Sequence, residues 1–170
     1  MQKALFLDRD GVVNVEKDYL YKIEDFEFID GIISLCRYYQ DSGYKIFVVT
    51  NQSGIARGYY SEDDFSKLSE WMIKEFLKYG VEITKVYHCP HHPDISGECE
   101  CRKPKPKMLL DAKKEFDLDM QNSIMIGDKE RDIEAGLNAG VGRTYLFDEH
   151  GMMEESKATK IVKKLDEIRD

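Results

Sequence analysis

Ala4-Leu5-Phe6-Leu7-Asp8-Arg9-Asp10-Gly11 reads as a short apolar strand that runs straight into two carboxylates and a glycine. A continuous apolar run of this length, closed by a turn signal, is the mark of a strand buried on both faces. The pattern recurs along the chain. Residues 45–50 run into Thr50-Asn51-Gln52-Ser53-Gly54, residues 85–88 into a loop rich in Cys and His, and residues 123–127 into Asp128-Lys129. A fifth strand is expected at residues 143–147. Between these runs, Ile32, Leu35, Cys36 and Tyr39 fall at helical spacing, as do Phe65, Leu68, Met72 and Phe76. Met108, Leu109, Ala112 and Phe116 mark a third helix, residues 130–139 a short fourth, and Ile161, Leu165 and Ile168 a final one. Ser61, followed by Glu62, Asp63 and Asp64, has the form of an N-cap, and Gly43, Gly80 and Gly140 stand where helices should stop.

Strands alternating with helices predict an α/β fold: a three-layer, Rossmann-like parallel sheet with helices on both faces. Such folds bind ligands at the carboxyl ends of their strands, and here those ends carry the residues able to do chemistry. The chain shows no repeat, low-complexity tract or linker, so residues 1–170 are expected to form a single domain. Residues 89–106 are its one long irregular segment on this reading, and loops of that length usually serve a function or are held by something.

Composition narrows the function. The 170 residues are 42% hydrophobic and 34% charged, ordinary for a soluble globular protein. No apolar run approaches the roughly 18 to 20 residues of a membrane span, and the N-terminus lacks the apolar core of a signal peptide. A cytoplasmic location is the expectation. The net charge of −8, without a basic block, counts against nucleic acid as a partner. A small anion is not excluded, because a few focused cations can hold it in an acidic protein. Lys157, Lys160, Lys163 and Lys164 read as the solvated face of the last helix. Cys36 is expected to be a buried bystander.

Asp8 and Asp10 can point into one site if the chain turns at Gly11, and Asp128 would join them from the fourth strand. Three carboxylates repel one another unless a hard cation such as Mg²⁺ joins them. With that charge present, one could attack phosphorus while a second moves the proton. The competing reading makes Asp8 and Asp10 caps of the following turn. Thr50 to Gly54 could donate to phosphate oxygens or form an ordinary turn. Arg57 could be a substrate contact or a surface charge. Arg102-Lys103-Pro104-Lys105-Pro106-Lys107 presents cations on a backbone restricted by prolines, fit for a phosphoryl group or for solvent. Cys89-Pro90-His91, seven residues, then Cys99-Glu100-Cys101 offers three thiolates and an imidazole, a tetrahedral set suited to structural Zn²⁺. His88 and His92 compete as ligands.

Asp8-Arg9-Asp10-Gly11-Val12-Val13-Asn14, Thr50-Asn51-Gln52-Ser53-Gly54, Cys101-Arg102-Lys103-Pro104 and Gly127-Asp128-Lys129 with Asp132 occur in this order. Together they resemble the haloacid dehalogenase superfamily of phosphatases. More narrowly, the chain is similar to the subfamily of D-glycero-D-manno-heptose-1,7-bisphosphate 7-phosphatases and histidinol-phosphatases, from about residue 5 to residue 147. The resemblance implies that Asp8 is the nucleophile and becomes phosphorylated. It implies that Asp10 is the general acid/base, with its backbone carbonyl in the Mg²⁺ shell. Thr50 and Lys103 would steady the phosphoryl group. Asp8, Asp10 and Asp128 would hold Mg²⁺, supported by Lys129 and Asp132. Substrate contacts are implied for Arg9, Glu16, Lys17, Asp18 and Tyr19, for Thr50, Asn51, Gln52 and Ser53, and for Arg102, Lys103 and Lys129. Cys89, His91, Cys99 and Cys101 would bind Zn²⁺ in a loop spanning residues 89–101, which would set Arg102 and Lys103 over the site.

The subfamily lacks a large cap domain, and the short gap between the first two motifs agrees. The loop from His91 to Cys99 looks short beside relatives, and Lys107 stands where a Gly often follows; both bear on substrate preference. The leading expectation is a Mg²⁺-dependent phosphatase removing the 7-phosphate of a heptose 1,7-bisphosphate, acting as a monomer on a small sugar phosphate. The alternatives are a histidinol-phosphate phosphatase, a more distant nucleic-acid 3′-phosphatase, and a zinc-binding interaction module without catalysis.

Overall fold

The computed structural model describes residues 1–169. Six strands form one sheet: β1 (Lys3–Leu7), β2 (Tyr44–Asn51), β3 (Ile83–Cys89), β4 (Ile124–Gly127), β5 (Arg143–Phe147) and β6 (Lys160–Val162). Their order is β3-β2-β1-β4-β5-β6, and every neighbouring pair is parallel. The helices α1 (Ile32–Asp41), α2 (Glu62–Lys78), α3 (Lys107–Phe116) and α4 (Glu130–Asn138) cover the sheet. The period-two alternation of a strand assigns its side chains to the two layers. Leu5, Leu7, Ile46, Val48, Ile124 and Ile126 pack with α1 and α2, around Leu35, Tyr39, Met72 and Phe76. Ala4, Phe6, Phe47, Val49 and Met125 face the other way, onto Met108, Leu109 and Ala112 of α3 and Ala135 of α4. This is the expected three-layer α/β arrangement. No described segment forms a cap domain, and no described helix is long and apolar enough to cross a membrane.

The local signals at helix ends hold. Ser61 Oγ accepts from the Asp64 N–H at 3.0 Å, and the Asp64 carboxylate accepts from the Ser61 N–H at 3.0 Å, closing a capping box. Gly43, Gly80 and Gly140 all have positive φ. Cys36 is fully buried among the α1 contacts, where burial pushes its thiol up.

Two expectations are corrected. The final helix is absent: residues 160–162 form β6 against β5, and Leu165–Glu167 is a single 3₁₀ turn. The buried apolar residues there are Val162, Leu165 and Ile168, at a spacing of three. Three apolar positions over so few residues do not establish a helical period, and the open edge of β5 offers the backbone a ladder instead. Lys160 therefore lies on a strand, and the N–H groups of Lys163 and Lys164 donate to Glu167. Residues 89–106 are also not the only long irregular stretch. Residues 8–31 contain just one 3₁₀ turn, Ile23–Asp25, and residues 148–159 contain no regular element.

The chain leaves β1 toward β2 on one side and returns through β4 on the other, so the order reverses between β1 and β4. At such a switch point the loops diverge and open a crevice. Asp8 follows β1, and Asp128 follows β4.

Candidate active site

The Asp8 N–H donates to the Ile126 carbonyl at 3.1 Å, extending the β1–β4 ladder to the nucleophile candidate. The chain then turns sharply: the N–H groups of Val12, Val13 and Asn14 all converge on the Arg9 carbonyl. Gly11 has φ +93°, and a Cβ there would lie 2.1 Å from Asp128 Oδ2. Only glycine satisfies both the left-handed backbone and the close approach of that carboxylate. Asp8, Asp128 and Asp132 bring their oxygens within 4.8 Å of one another.

Lys103 reaches this cluster from the loop after β3. It is 1% exposed, and its Nζ donates to Asp8 Oδ1 at 2.7 Å, Asp132 Oδ1 at 2.8 Å and the Val49 carbonyl at 2.8 Å. Asn51 fixes the same residue by its backbone, accepting from the Lys103 N–H at 3.0 Å and donating to the Lys103 carbonyl at 3.3 Å. Burial works against the Lys103 ammonium, but Asp132 and Asp8 outweigh it and its pKa is raised. Burial, with repulsion from Asp132, raises Asp8 well above the usual carboxylate range, against the pull of Lys103. Asp128 is raised for the same first reasons, burial and then Asp132. Three carboxylates against one ammonium leave two negative charges uncompensated in a buried space. A divalent cation with oxygen ligands matches that deficit, so the donor set fits Mg²⁺.

Asp10 is two residues from Asp8, but its carboxylate points elsewhere. It accepts from Arg9 Nη2 at 3.0 and 3.1 Å, Asn14 Nδ2 at 3.0 Å and Gln52 Nε2 at 3.0 Å. The carboxylates gathered by the fold are thus Asp8, Asp128 and Asp132, while the Asp10 side chain borders a neighbouring cleft. Gln52 links this group to the β2 end, donating to Thr50 Oγ1 at 2.8 Å and accepting from the Tyr60 hydroxyl.

That cleft has a volume of about 280 Å³ and is walled by Glu16, Asp18 and Tyr19, by Asn51, Gln52 and Ser53, and by Arg102. All seven were expected at the substrate. Asp18 and Tyr19 hold φ of +43° and +60° at its rim, a strained conformation for non-glycine residues. Other expected contacts lie elsewhere. Arg9 is 1% exposed beneath the cleft, bonded to Asp10 and the Leu20 carbonyl. A buried guanidinium needs such partners more than a surface site does. Lys17 points away, donating to the Asp25 carbonyl at 2.8 Å. Lys129 lines an adjoining cavity of about 440 Å³ beside Asp128 and Gly11. Thr50 and Lys103 form the floor rather than the walls. Three walls were not assigned by sequence: Arg57, Tyr60 and Arg131. Arg57 was ambiguous, and Arg131 carries only the signal of standing near the start of a helix. Tyr60 follows an unremarked Gly-Tyr pair.

The Cys/His loop closes on itself. Cys89, His91, Cys99 and Cys101 gather their ligand atoms within 4.8 Å. Cys99 Sγ is 3.6 Å from Cys89 and 3.8 Å from Cys101, and His91 Nδ1 is 3.6 and 3.3 Å from Cys89 and Cys101. A tetrahedral ion with Zn–S bonds of about 2.3 Å separates its sulfurs by about 3.8 Å; the two separations of Cys99 match that spacing, while Cys89 and Cys101, 2.7 Å apart, would move apart to seat the ion. The donor set of three thiols and one imidazole suits zinc. All the cysteines are free thiols. Burial opposes ionisation of Cys99, but the Arg102 and Cys101 N–H groups bring its thiol down to about 7. His88 and His92 are excluded from the set: His88 pairs with Glu62 at 2.8 Å, and His92 Nδ1 accepts from the Asp94 N–H at 3.2 Å.

A surface cavity of about 770 Å³ along α1 is lined by none of these groups. The model of the haloacid dehalogenase-like hydrolases matches residues 2–140. The chain is 63% identical over 147 residues to the D-glycero-alpha-D-manno-heptose-1,7-bisphosphate 7-phosphatase of Campylobacter jejuni, covering 86% of this chain and 83% of that one. It is 50% identical over 150 residues to the D-glycero-beta-D-manno-heptose-1,7-bisphosphate 7-phosphatase of Haemophilus influenzae, covering 86% and 82%. Among solved structures, the D,D-heptose 1,7-bisphosphate phosphatase from B. bronchiseptica, complexed with magnesium and phosphate, superposes with a TM-score of 0.82 at 28% identity, covering 96% of this chain and 94% of that one. With its carboxylates at the switch point of this sheet, the chain belongs to the haloacid dehalogenase-like hydrolase family, and it is a phosphoric monoester hydrolase.

Proposed function

We propose that the protein removes the 7-phosphate of D-glycero-D-manno-heptose 1,7-bisphosphate through an aspartyl-phosphate on Asp8. The observation that carries the mechanism is the buried contact of Lys103 with Asp8 and Asp132 beside Asp128. The names of the curated relatives support the substrate. Residues 1–170 act as one phosphatase domain with the zinc loop at residues 89–101, in a cytoplasmic monomer.

An Asp8 carboxylate oxygen attacks phosphorus, and the bond from phosphorus to the sugar O7 breaks. Asp10 gives its proton to the departing oxygen, which leaves as the alcohol. Water then attacks the phosphorus of the acyl phosphate. Asp10 takes the water proton, the bond from phosphorus to Asp8 breaks, and inorganic phosphate is released. Lys103 and Thr50 stabilise the charge spread over the phosphoryl oxygens. Asp8, Asp128 and the Asp10 carbonyl would hold Mg²⁺, which when bound neutralises the carboxylates and the transferring group. Zn²⁺ in the Cys/His loop would be structural: Cys101 is joined directly to Arg102 and Lys103.

The test is phosphate release with Mg²⁺ from both anomers of the heptose bisphosphate and from histidinol phosphate, with Asp8→Asn as control. A preference for a heptose bisphosphate, lost in the control, is expected. A preference for histidinol phosphate would keep the mechanism and replace the substrate. No release from a folded, zinc-loaded protein would leave a binding module.

A further inference from the structure

Three arginines reach the cleft from three separate stretches of chain: Arg57 from the turns after β2, Arg102 from the loop after β3, and Arg131 from the second position of α4. Among the described residues, none of these guanidiniums lies within ion-pair distance of a carboxylate. Their other contacts are sparse. Arg102 Nη1 donates to the His91 carbonyl at 3.4 Å, and the Arg57 guanidinium lies 5.7 Å from the Tyr19 ring centroid. Arg57 Nε is buried without a hydrogen-bond partner. The carboxylates on the same cleft are Asp10, Glu16 and Asp18, and the Asp10 oxygens are already taken by Arg9, Asn14 and Gln52. Three left unpaired around one cavity hold a standing attraction for an anion. Guanidinium suits phosphate in particular, because its planar fork matches two oxygens at once.

This anion is not the phosphoryl group being transferred. That group must meet Asp8 and Lys103, and neither lines the cleft. Asp10 does line it, and Asp10 is the group that hands a proton to the leaving oxygen. The cleft therefore begins where the leaving group departs and extends away from the nucleophile. We infer that Arg57, Arg102 and Arg131 seat a second phosphate carried by the leaving group, and that Arg131 sets the preference for a bisphosphate over a monophosphate. The inference rests on the roles of Asp8 and Asp10 given above.

Arg131 is the informative member. Arg57 is packed over Tyr19, and Arg102 is tied to the zinc loop, so changing either also disturbs a wall. The Arg131 side chain is exposed on a helix whose first turn is closed by the Asp132 carboxylate accepting from the Lys129 N–H at 3.1 Å. Its replacement removes charge without opening a cavity.

The experiment compares Arg131→Gln and Arg57→Gln with the parent enzyme on heptose 1,7-bisphosphate and heptose 7-phosphate, with zinc content and melting temperature as controls. In the parent, kcat/KM should favour the bisphosphate. In Arg131→Gln that ratio should fall about 10- to 100-fold, mostly through KM, the scale of a hydrogen bond to a charged group. An unchanged ratio in a folded, zinc-loaded Arg131→Gln would overturn the inference and leave the proposed reaction standing. If the parent enzyme does not turn over the heptose bisphosphate, the functional reading fails instead. The seat is then decided by inhibition of p-nitrophenyl phosphate hydrolysis. Fructose 1,6-bisphosphate should inhibit more strongly than fructose 6-phosphate, and equal inhibition would sink it.

Discussion

Lys103 shows how one side chain can serve both fold and chemistry. It is the only ammonium bonded to Asp8 and Asp132 among the described residues, and it leaves the Asp8–Asp128–Asp132 cluster short of positive charge. Burial and then Asp132 hold Asp8 and Asp128 above their ordinary range. A carboxylate whose folded pKa is raised binds protons more tightly in the native state than in the unfolded chain. Its stabilising contribution is full below the unfolded value, about 3.9 for aspartate, and is lost as pH rises through the folded value. In magnesium-free buffer without chelator, which leaves zinc in place, the urea midpoint should therefore fall as pH rises above the ordinary aspartate range. Added Mg²⁺ should raise the midpoint most at the higher pH, because the cation then takes the place of the proton. A midpoint that climbs with pH in the absence of magnesium would show that these carboxylates are held low instead. At this scale the sequence made the chemistry legible through Asp8, Asp10, Lys103 and Asp128. It did not reveal that Asp132, rather than the Asp10 side chain, completes the carboxylate cluster, because that depends on how α4 leaves β4.

At the scale of elements, the Cys/His loop connects β3 to Lys103. Cys89 is the last residue of β3, Cys101 directly precedes Arg102 and Lys103, and Asn51 clamps the Lys103 backbone from the end of β2. Removing one ligand should therefore release the cations while sparing the sheet. Cys99→Ser is expected to lose zinc by metal analysis and to lower kcat/KM about 100-fold, the cost of a small misplacement at a reacting centre. Its far-ultraviolet circular dichroism should stay close to that of the parent. Full activity in a zinc-free variant would separate the loop from the site. Five strands and four helices could be read from apolar runs, caps and glycines, because those signals are local. The sixth strand could not. Lys160, Ile161 and Val162 pair with Tyr145, Leu146 and Phe147, and only the open edge of β5 makes a strand of them.

For the whole molecule, the exposed large apolar side chains fall singly or in twos: Ile23, Ile95, Leu110 and Leu137 stand on separate stretches of chain, while Tyr19 packs on Tyr59 with ring centroids 4.9 Å apart and Met152 adjoins Met153. Stable self-association needs a contiguous patch, so sedimentation equilibrium should return the mass of one chain at micromolar concentration. A concentration-dependent dimer would point to a surface that the scattered residues do not reveal. The sequence by itself determined the alternation of strands and helices, the carboxylates and cations at the strand ends, and the Cys/His set that comes together in the loop after β3. Each of these is written in local order and residue type. Tertiary structure decided which of the expected polar residues look into the cleft and which others join them. It turned Arg9 inward against Asp10, sent Lys17 to the Asp25 carbonyl, and brought Arg57 and Arg131 to the same wall as Arg102. Side-chain direction at a strand end depends on the turn that follows and on neighbours distant in sequence, 95 positions in the case of Asp8 and Lys103, and no local pattern encodes those.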